Sequence, residues 1–179
     1  MGSRRGAARF MILLAAALTA ANYRAWAERL VQWGCVALRV DSFGPRNVSD
    51  VNDDIKKVSP ETRSLDAYAA GEYLARQAAV AYYPGYPPVI RKHDTPLLLL
   101  YGESDPDCPG FMVSQLVQYW SKGDRKYELK VKKYPNATQL FDVEGLNEDR
   151  EGEHFEYNLA AAADSIEQVR LFFAKYLGN

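Results

Sequence analysis

Leu97-Leu98-Leu99-Leu100-Tyr101 is an unbroken apolar run. A strand with one wet face alternates apolar and polar residues, so a run without alternation fits a strand covered on both faces. The rest of the chain supplies the covers. From Asn22 to Gly34 the residues Tyr23, Trp26, Ala27, Leu30 and Val31 recur at helical spacing, and Gly34 stands where such a helix stops. A strand over Cys35–Val40 and a turn over Asp41–Arg46 follow, then a polar, aperiodic stretch from Val48 to Pro60 that reads as a surface loop. A second helix is expected from about Glu61 to Gln77, with Leu65, Tyr68, Ala69 and Leu74 inward. Further strands are expected over Ala78–Tyr83 and Tyr127–Tyr134, and a third helix from about Gly110 to Ser121. The last helix runs from about Asn158 to Leu177, with Asn158 as its cap and Ala162, Ile166, Val169, Phe173, Tyr176 and Leu177 on one stripe. Strands alternating with helices of this length imply crossover units, a parallel sheet and helices on both faces, an α/β fold.

A chain of 179 residues with 47% hydrophobic and 25% charged residues has enough apolar material for one core. Residues 22–179 therefore read as a single domain. Residues 1–21 are open to two readings: a signal-like segment, with Arg4-Arg5 suggesting a twin-arginine route out of the cytoplasm, or the first strand of the domain. The apolar part is too short for a membrane span. A net charge of −1 gives neither a basic face for nucleic acid nor a field that would steer a charged substrate.

Four stretches resemble the dienelactone hydrolase family of α/β-hydrolases. They are Asn22-Tyr-Arg-Ala-Trp-Ala-Glu-Arg-Leu30 leading into Val40-Asp-Ser-Phe-Gly-Pro-Arg46; Ala81-Tyr-Tyr-Pro-Gly85; Leu100-Tyr-Gly-Glu-Ser-Asp105; and Tyr134-Pro-Asn-Ala137 with Phe141-Asp142. The resemblance implies hydrolysis of a small ester or lactone by a nucleophile, a histidine base and an orienting acid, with no cofactor and no metal. It places the acid at Asp105. Where the family reads roughly Tyr-Pro-x-Ala-x-His-x-Phe, this chain has Tyr134-Pro135-Asn136-Ala137-Thr138-Gln139-Leu140-Phe141, so Gln139 stands at the histidine position. Glutamine cannot take a proton near neutral pH, and proton transfer is worth about 10²–10⁴-fold.

The nucleophile elbow G-x-S-x-G, or its cysteine variant, occurs nowhere in the chain. The resemblance would place it between the helix ending near Gln77 and the strand from Ala78, which adjoin directly, as if a central strand–elbow–helix unit were missing. The glycine-rich oxyanion turn is replaced by Leu13-Leu14-Ala15-Ala16-Ala17-Leu18. Such a truncated sheet exposes edges, which invites homodimer formation.

The remaining cysteines and histidines offer few substitutes. Cys108 lies in Asp105-Pro-Asp-Cys-Pro109, where neighbouring carboxylates oppose a thiolate, and Cys35 reads as core. His93 reads as a surface residue before a strand. His154 lies in the acidic run Glu151–Glu156, read as a solvated loop without a complete metal-ligand set. Arg46 would meet a substrate carboxylate or make a structural salt bridge, and Tyr83, in the aromatic segment from Ala81 to Pro88, would line a pocket or pack in the core.

Overall fold

The computed structural model describes residues 9–13, 20–48, 58–59, 62–63, 65–66, 69–70, 78–83, 95–122, 127–150 and 152–177. Strands β1 (Arg9–Leu13) and β2 (Cys35–Arg39) pair in parallel, with Arg9 opposite Cys35 and Leu13 opposite Arg39. Helix α1 (Ala20–Gln32) crosses between them. It stops at Gly34, whose amide reaches the Val31 carbonyl at 2.9 Å with φ at +76°, a conformation that glycine adopts freely. A second parallel sheet joins β3 (Ala79–Tyr82), β4 (Leu97–Gly102) and β5 (Leu129–Tyr134) in that order. Helix α2 (Gly110–Lys122) connects β4 to β5, and α3 (Leu159–Leu177) closes the described chain.

β4 organises the second sheet. Leu98 and Leu100 point to one face, where α1 contributes Trp26 and Leu30 and α3 contributes Ala161, Val169, Phe172 and Phe173. Leu99 and Tyr101 point to the other face, against Val113, Leu116 and Trp120 of α2. Leu98, Leu99 and Leu100 have no solvent exposure, and each such burial stabilises by roughly 1.5–3 kcal/mol. The fold is thus α/β, parallel-stranded, with helices on both faces of the sheet. The cluster on the α1 and α3 face also takes in Cys35 of β2, so one core serves both sheets.

Several elements differ in detail from the pattern read in sequence. The run Asn147–Glu156 is an antiparallel hairpin, β6 (Asn147–Arg150) with β7 (Glu153–Glu156), not a solvated loop. Its charges hid it. Only Phe155 is buried, and cross-strand pairing of Asp149 with His154 supplies what apolar alternation would normally signal. Val31 is 62% exposed and Leu65 is 49% exposed, although helical spacing put both inward. Among the described side chains of α1, Asn22, Trp26 and Leu30 are the buried ones, and near Leu65 it is Asp66 that turns to a partner, Arg46. Val48 and Val58 are buried, so the stretch read as a surface loop is anchored at two points. Tyr23, Tyr68 and Leu74 have side chains outside the described residues, as do Leu14–Leu18, Gln77 and His93. The last helix agrees closely with the sequence pattern: Asn158 Oδ1 accepts the Ala161 amide at 3.0 Å, and Ala162, Val169 and Phe173 are buried.

The end of β4 presses against the loop after β5. The Ser104 amide donates to the Ala137 carbonyl at 3.0 Å and the Glu103 amide to the Tyr134 carbonyl at 2.9 Å. A Cβ on Gly102 would sit 2.0 Å from the Ala137 carbonyl oxygen. Gly102→Ala is therefore expected to cost about 3 kcal/mol or more in urea unfolding. Gly110→Ala, where a Cβ meets only the Tyr101 hydroxyl at 3.9 Å, should change stability by less than ~1 kcal/mol. Equal effects of the two substitutions would contradict the packing described.

Candidate active site

Three parallel strands end at one edge of the β3–β4–β5 sheet, and the carboxyl ends of such strands are where α/β folds place their chemistry. The loop after β3 carries Tyr83, the loop after β4 carries Asp105, and the loop after β5 carries Gln139. The latter two loops abut through the Ser104–Ala137 and Glu103–Tyr134 hydrogen bonds.

Asp105 is 2% exposed. Its Oδ1 accepts the amides of Asp107 at 2.9 Å and Cys108 at 3.1 Å, the geometry of an aspartate that shapes its own turn. Its Oδ2 is buried and, among the described residues, has no hydrogen-bond partner. Burial raises the carboxyl pKa to about 6, against the pull of the two backbone amides. Gln139 is half-buried and, among the described residues, its side chain makes no hydrogen bond; it is not joined to Asp105.

Tyr83 is buried, and its hydroxyl donates to Asp142 Oδ1 at 2.9 Å. The other oxygen of Asp142 accepts the Trp26 indole N–H at 3.1 Å. One carboxylate thus ties α1, the end of β3 and the loop after β5. Its role was invisible in sequence because its partners lie 59 and 116 residues away. Tyr83 sits at φ +30° and Leu140 at φ +62°, backbone conformations that non-glycine residues adopt only when surrounding contacts hold them. The rings of Tyr82, Tyr83 and Tyr134 all pack on Phe141.

Arg46 lies in the turn after β2, where Asp41 Oδ1 accepts the amides of Phe43 and Gly44. Its guanidinium makes a two-pronged pair with Asp66, at 2.8 and 2.9 Å, and also donates to the Ser42 carbonyl. The structural alternative for this arginine accounts for those contacts.

Cys108 is 2% exposed, and burial, then Asp105 and Asp107, push its thiol up to about 12. It is a thiol packed beside α2, and its burial disfavours the thiolate. Cys35 is buried as well, and among the described residues no disulfide forms. His154 projects from β7 and pairs with Asp149 at 2.9 Å and Glu156 at 3.7 Å; the Asp149 hydrogen bond holds its pKa above the ordinary value. Both ring nitrogens face carboxylates of the hairpin. The hairpin itself is pinned to the Gln139 loop by the Glu156 amide donating to Thr138 Oγ1 at 3.2 Å. Among the described residues no three His, Cys, Asp or Glu side chains converge as metal ligands, and no helix is long and apolar enough to cross a membrane.

Parallel strands with helices on both faces are the architecture of the α/β-hydrolases. Residues 64–177, more than half of the chain, match the model of the dienelactone hydrolase family, and the chain belongs to that family. Solved structures agree in fold. A protein assigned as a dienelactone hydrolase in Klebsiella pneumoniae subsp. pneumoniae MGH 78578 superposes with a TM-score of 0.70 at 17% identity, covering 96% of this chain and 89% of that one. The dienelactone hydrolase-like promiscuous phosphotriesterase P91, from metagenomic libraries, gives 0.64 at 16% identity, over 97% and 88%. The carboxylesterase Cest-2923 of Lactobacillus plantarum WCFS1 gives 0.58 at 11% identity, over 99% and 90%. Comparison with curated proteins gave no match.

The Asp105 carboxyl has a consequence for stability. Its folded pKa of about 6 lies above the ordinary aspartate value, so its favourable contribution is complete below the unfolded pKa near 4 and is lost as pH rises through about 6. Asp105→Asn keeps an acceptor for the two turn amides and removes the charge. Relative to wild type it should gain about 2–3 kcal/mol at pH 7.5 and close to nothing at pH 3.5, measured by urea unfolding. A loss of stability at pH 7.5 would show that Asp105 has a compensating partner.

Proposed function

We propose that this chain is a non-catalytic member of its family: it keeps the acid of an ester- or lactone-hydrolysing machinery, Asp105, and lacks the base and the nucleophile. The observation that carries the reading is the buried Asp105 Oδ2 without a partner, beside a loop in which Gln139 holds the histidine position. A buried carboxylate left unpaired costs stability, and a fold gains nothing structural from it. Such a group is what remains when an imidazole that once bonded it is replaced. Its Oδ1 contacts alone would satisfy the turn, so Oδ2 is the part that the turn does not explain.

The absence of a G-x-S-x-G or G-x-C-x-G elbow from the sequence supports the same reading. The buried, hard-to-ionise thiol of Cys108 offers no replacement nucleophile. What the scaffold retains is a packed core and a loop edge; its role in this reading is binding or interaction, with a small ester or lactone as the ligand class its family implies, and with a homodimer as the assembly that open sheet edges favour.

The purified 179-residue chain is expected to hydrolyse p-nitrophenyl acetate, an enol lactone and an aryl phosphotriester at the buffer rate, and Asp105→Asn is expected to change nothing. Turnover that disappears in Asp105→Asn would overturn the proposal. Gln139→His tests the position of the base separately. The new imidazole should titrate above ~6.5, and the elevation should vanish in Gln139→His/Asp105→Asn, followed by histidine ring NMR. An ordinary pKa in both backgrounds would remove residue 139 from the base position.

A further inference from the structure

The two edges of the three-stranded sheet are treated very differently by the sequence. β5 forms one edge and carries Lys130, Lys132 and Lys133. Lys132 pairs with Asp164, Lys133 with Glu103, and Lys130 bonds Gln168. Lysines along an edge strand oppose pairing with another chain. β3 forms the other edge with the sequence Ala-Val-Ala-Tyr, which has no charge and no proline. Each of its residues is partly exposed, whereas the neighbouring β4 is buried almost throughout.

The backbone of β3 has a definite free side. Ala79 and Tyr83 donate their amides towards the β4 side, to the carbonyls of Pro96 and Leu100. Because successive residues alternate, Val80 and Tyr82 turn their N–H and C=O groups to the opposite edge, where no strand pairs with them among the described residues. The β1–β2 pair is a separate sheet and does not complete the ladder.

We infer that β3 is a self-association edge that pairs antiparallel with β3 of a second copy of this chain. Alternation restricts the register: Val80 lies opposite Tyr82 of the second copy, and the two copies of Ala81 meet on the two-fold axis. That register exchanges the outward amides of Val80 and Tyr82 and creates two β-branched–aromatic pairs. Both side chains already pack against the main core, so the pairs extend an apolar surface. No like charges are brought together across the ladder, and at a net charge of −1 two copies repel one another weakly. The edges of β5, β6 and β7 fit a partner less well, since β5 is lysine-rich and β6 and β7 carry Glu148, Asp149, Glu153 and Glu156. A two-fold contact also closes on itself, so two three-stranded sheets merge into one and assembly stops at the dimer. The inference stands on the open ladder and not on the absence of hydrolysis, so it holds or falls separately from the ester assays.

The test is sedimentation of the full chain together with hydrogen exchange. The wild type should sediment at twice the 20.2 kDa chain mass, and the Val80 and Tyr82 amides should gain protection as concentration rises. Val80→Pro removes an amide that points away from β4, so it leaves the β3–β4 ladder intact and should halve the mass without altering circular dichroism. Ala81→Lys, which adds an edge cation, is the second variant should the proline prevent folding, and it too should give a monomer. A monomeric wild type, or a dimer that persists in a folded variant, would overturn the inference. Protection of Val80 and Tyr82 at every concentration would also overturn it, by showing that the edge is closed within one chain.

Discussion

Leu98 and Leu100 face α3 and Leu99 and Tyr101 face α2, so the strand that carries them is sealed on both sides and hydrogen-bonded on both edges. Everything that positions the candidate site follows from that arrangement. A strand fixed on four sides has one place to deliver chemistry, its carboxyl end, and there the chain turns at Gly102 so tightly that only a hydrogen fits under the Ala137 carbonyl. The contact brings the Asp105 turn and the Gln139 loop together with no help from their own side chains. The Asp142 carboxylate then fastens the same loop to α1 and to the end of β3 through Trp26 and Tyr83.

Within that rigid frame, Asp105 stands out energetically. Several polar groups in and around the core are bonded: Ser165 donates to the Ala162 carbonyl, Trp120 to the Tyr127 carbonyl, and Tyr134 to Asp164. Asp105 has one oxygen satisfied and the other buried and bare. Proteins tolerate such a group at functional sites, where a perturbed carboxyl serves a partner or substrate. On the proposed reading the partner is lost, which makes the carboxyl a cost without its usual return.

Much of the framework was legible in the sequence because it rests on local periodicity. The unbroken apolar run became β4, the stripe ending in Phe173 became α3, and Asn158 caps that helix. The order of motifs around Asp105 and Gln139 gave the family, and the chain belongs to it. What sequence could not supply was anything set by distant partners. The hairpin of β6 and β7 is held by charge pairing such as His154 with Asp149, which breaks the apolar alternation that marks strands. Val31 and Leu65 were misplaced because helical spacing gives a stripe but not its centre. The Asp142 clamp, the Arg46–Asp66 pair and the bare oxygen of Asp105 depend on side chains far apart in the chain.

Asp105 is a buried carboxyl whose Oδ2 has no partner among the described residues, and its own titration tests this most directly. Carbon-detected NMR of the side-chain carboxyl, followed from pH 3 to 9 on the intact chain, should give a midpoint of about 6. A midpoint at or below the ordinary aspartate value of ~3.9 would mean that a cation or a strong donor sits against Oδ2, and the account of a family scaffold without its base would be contradicted.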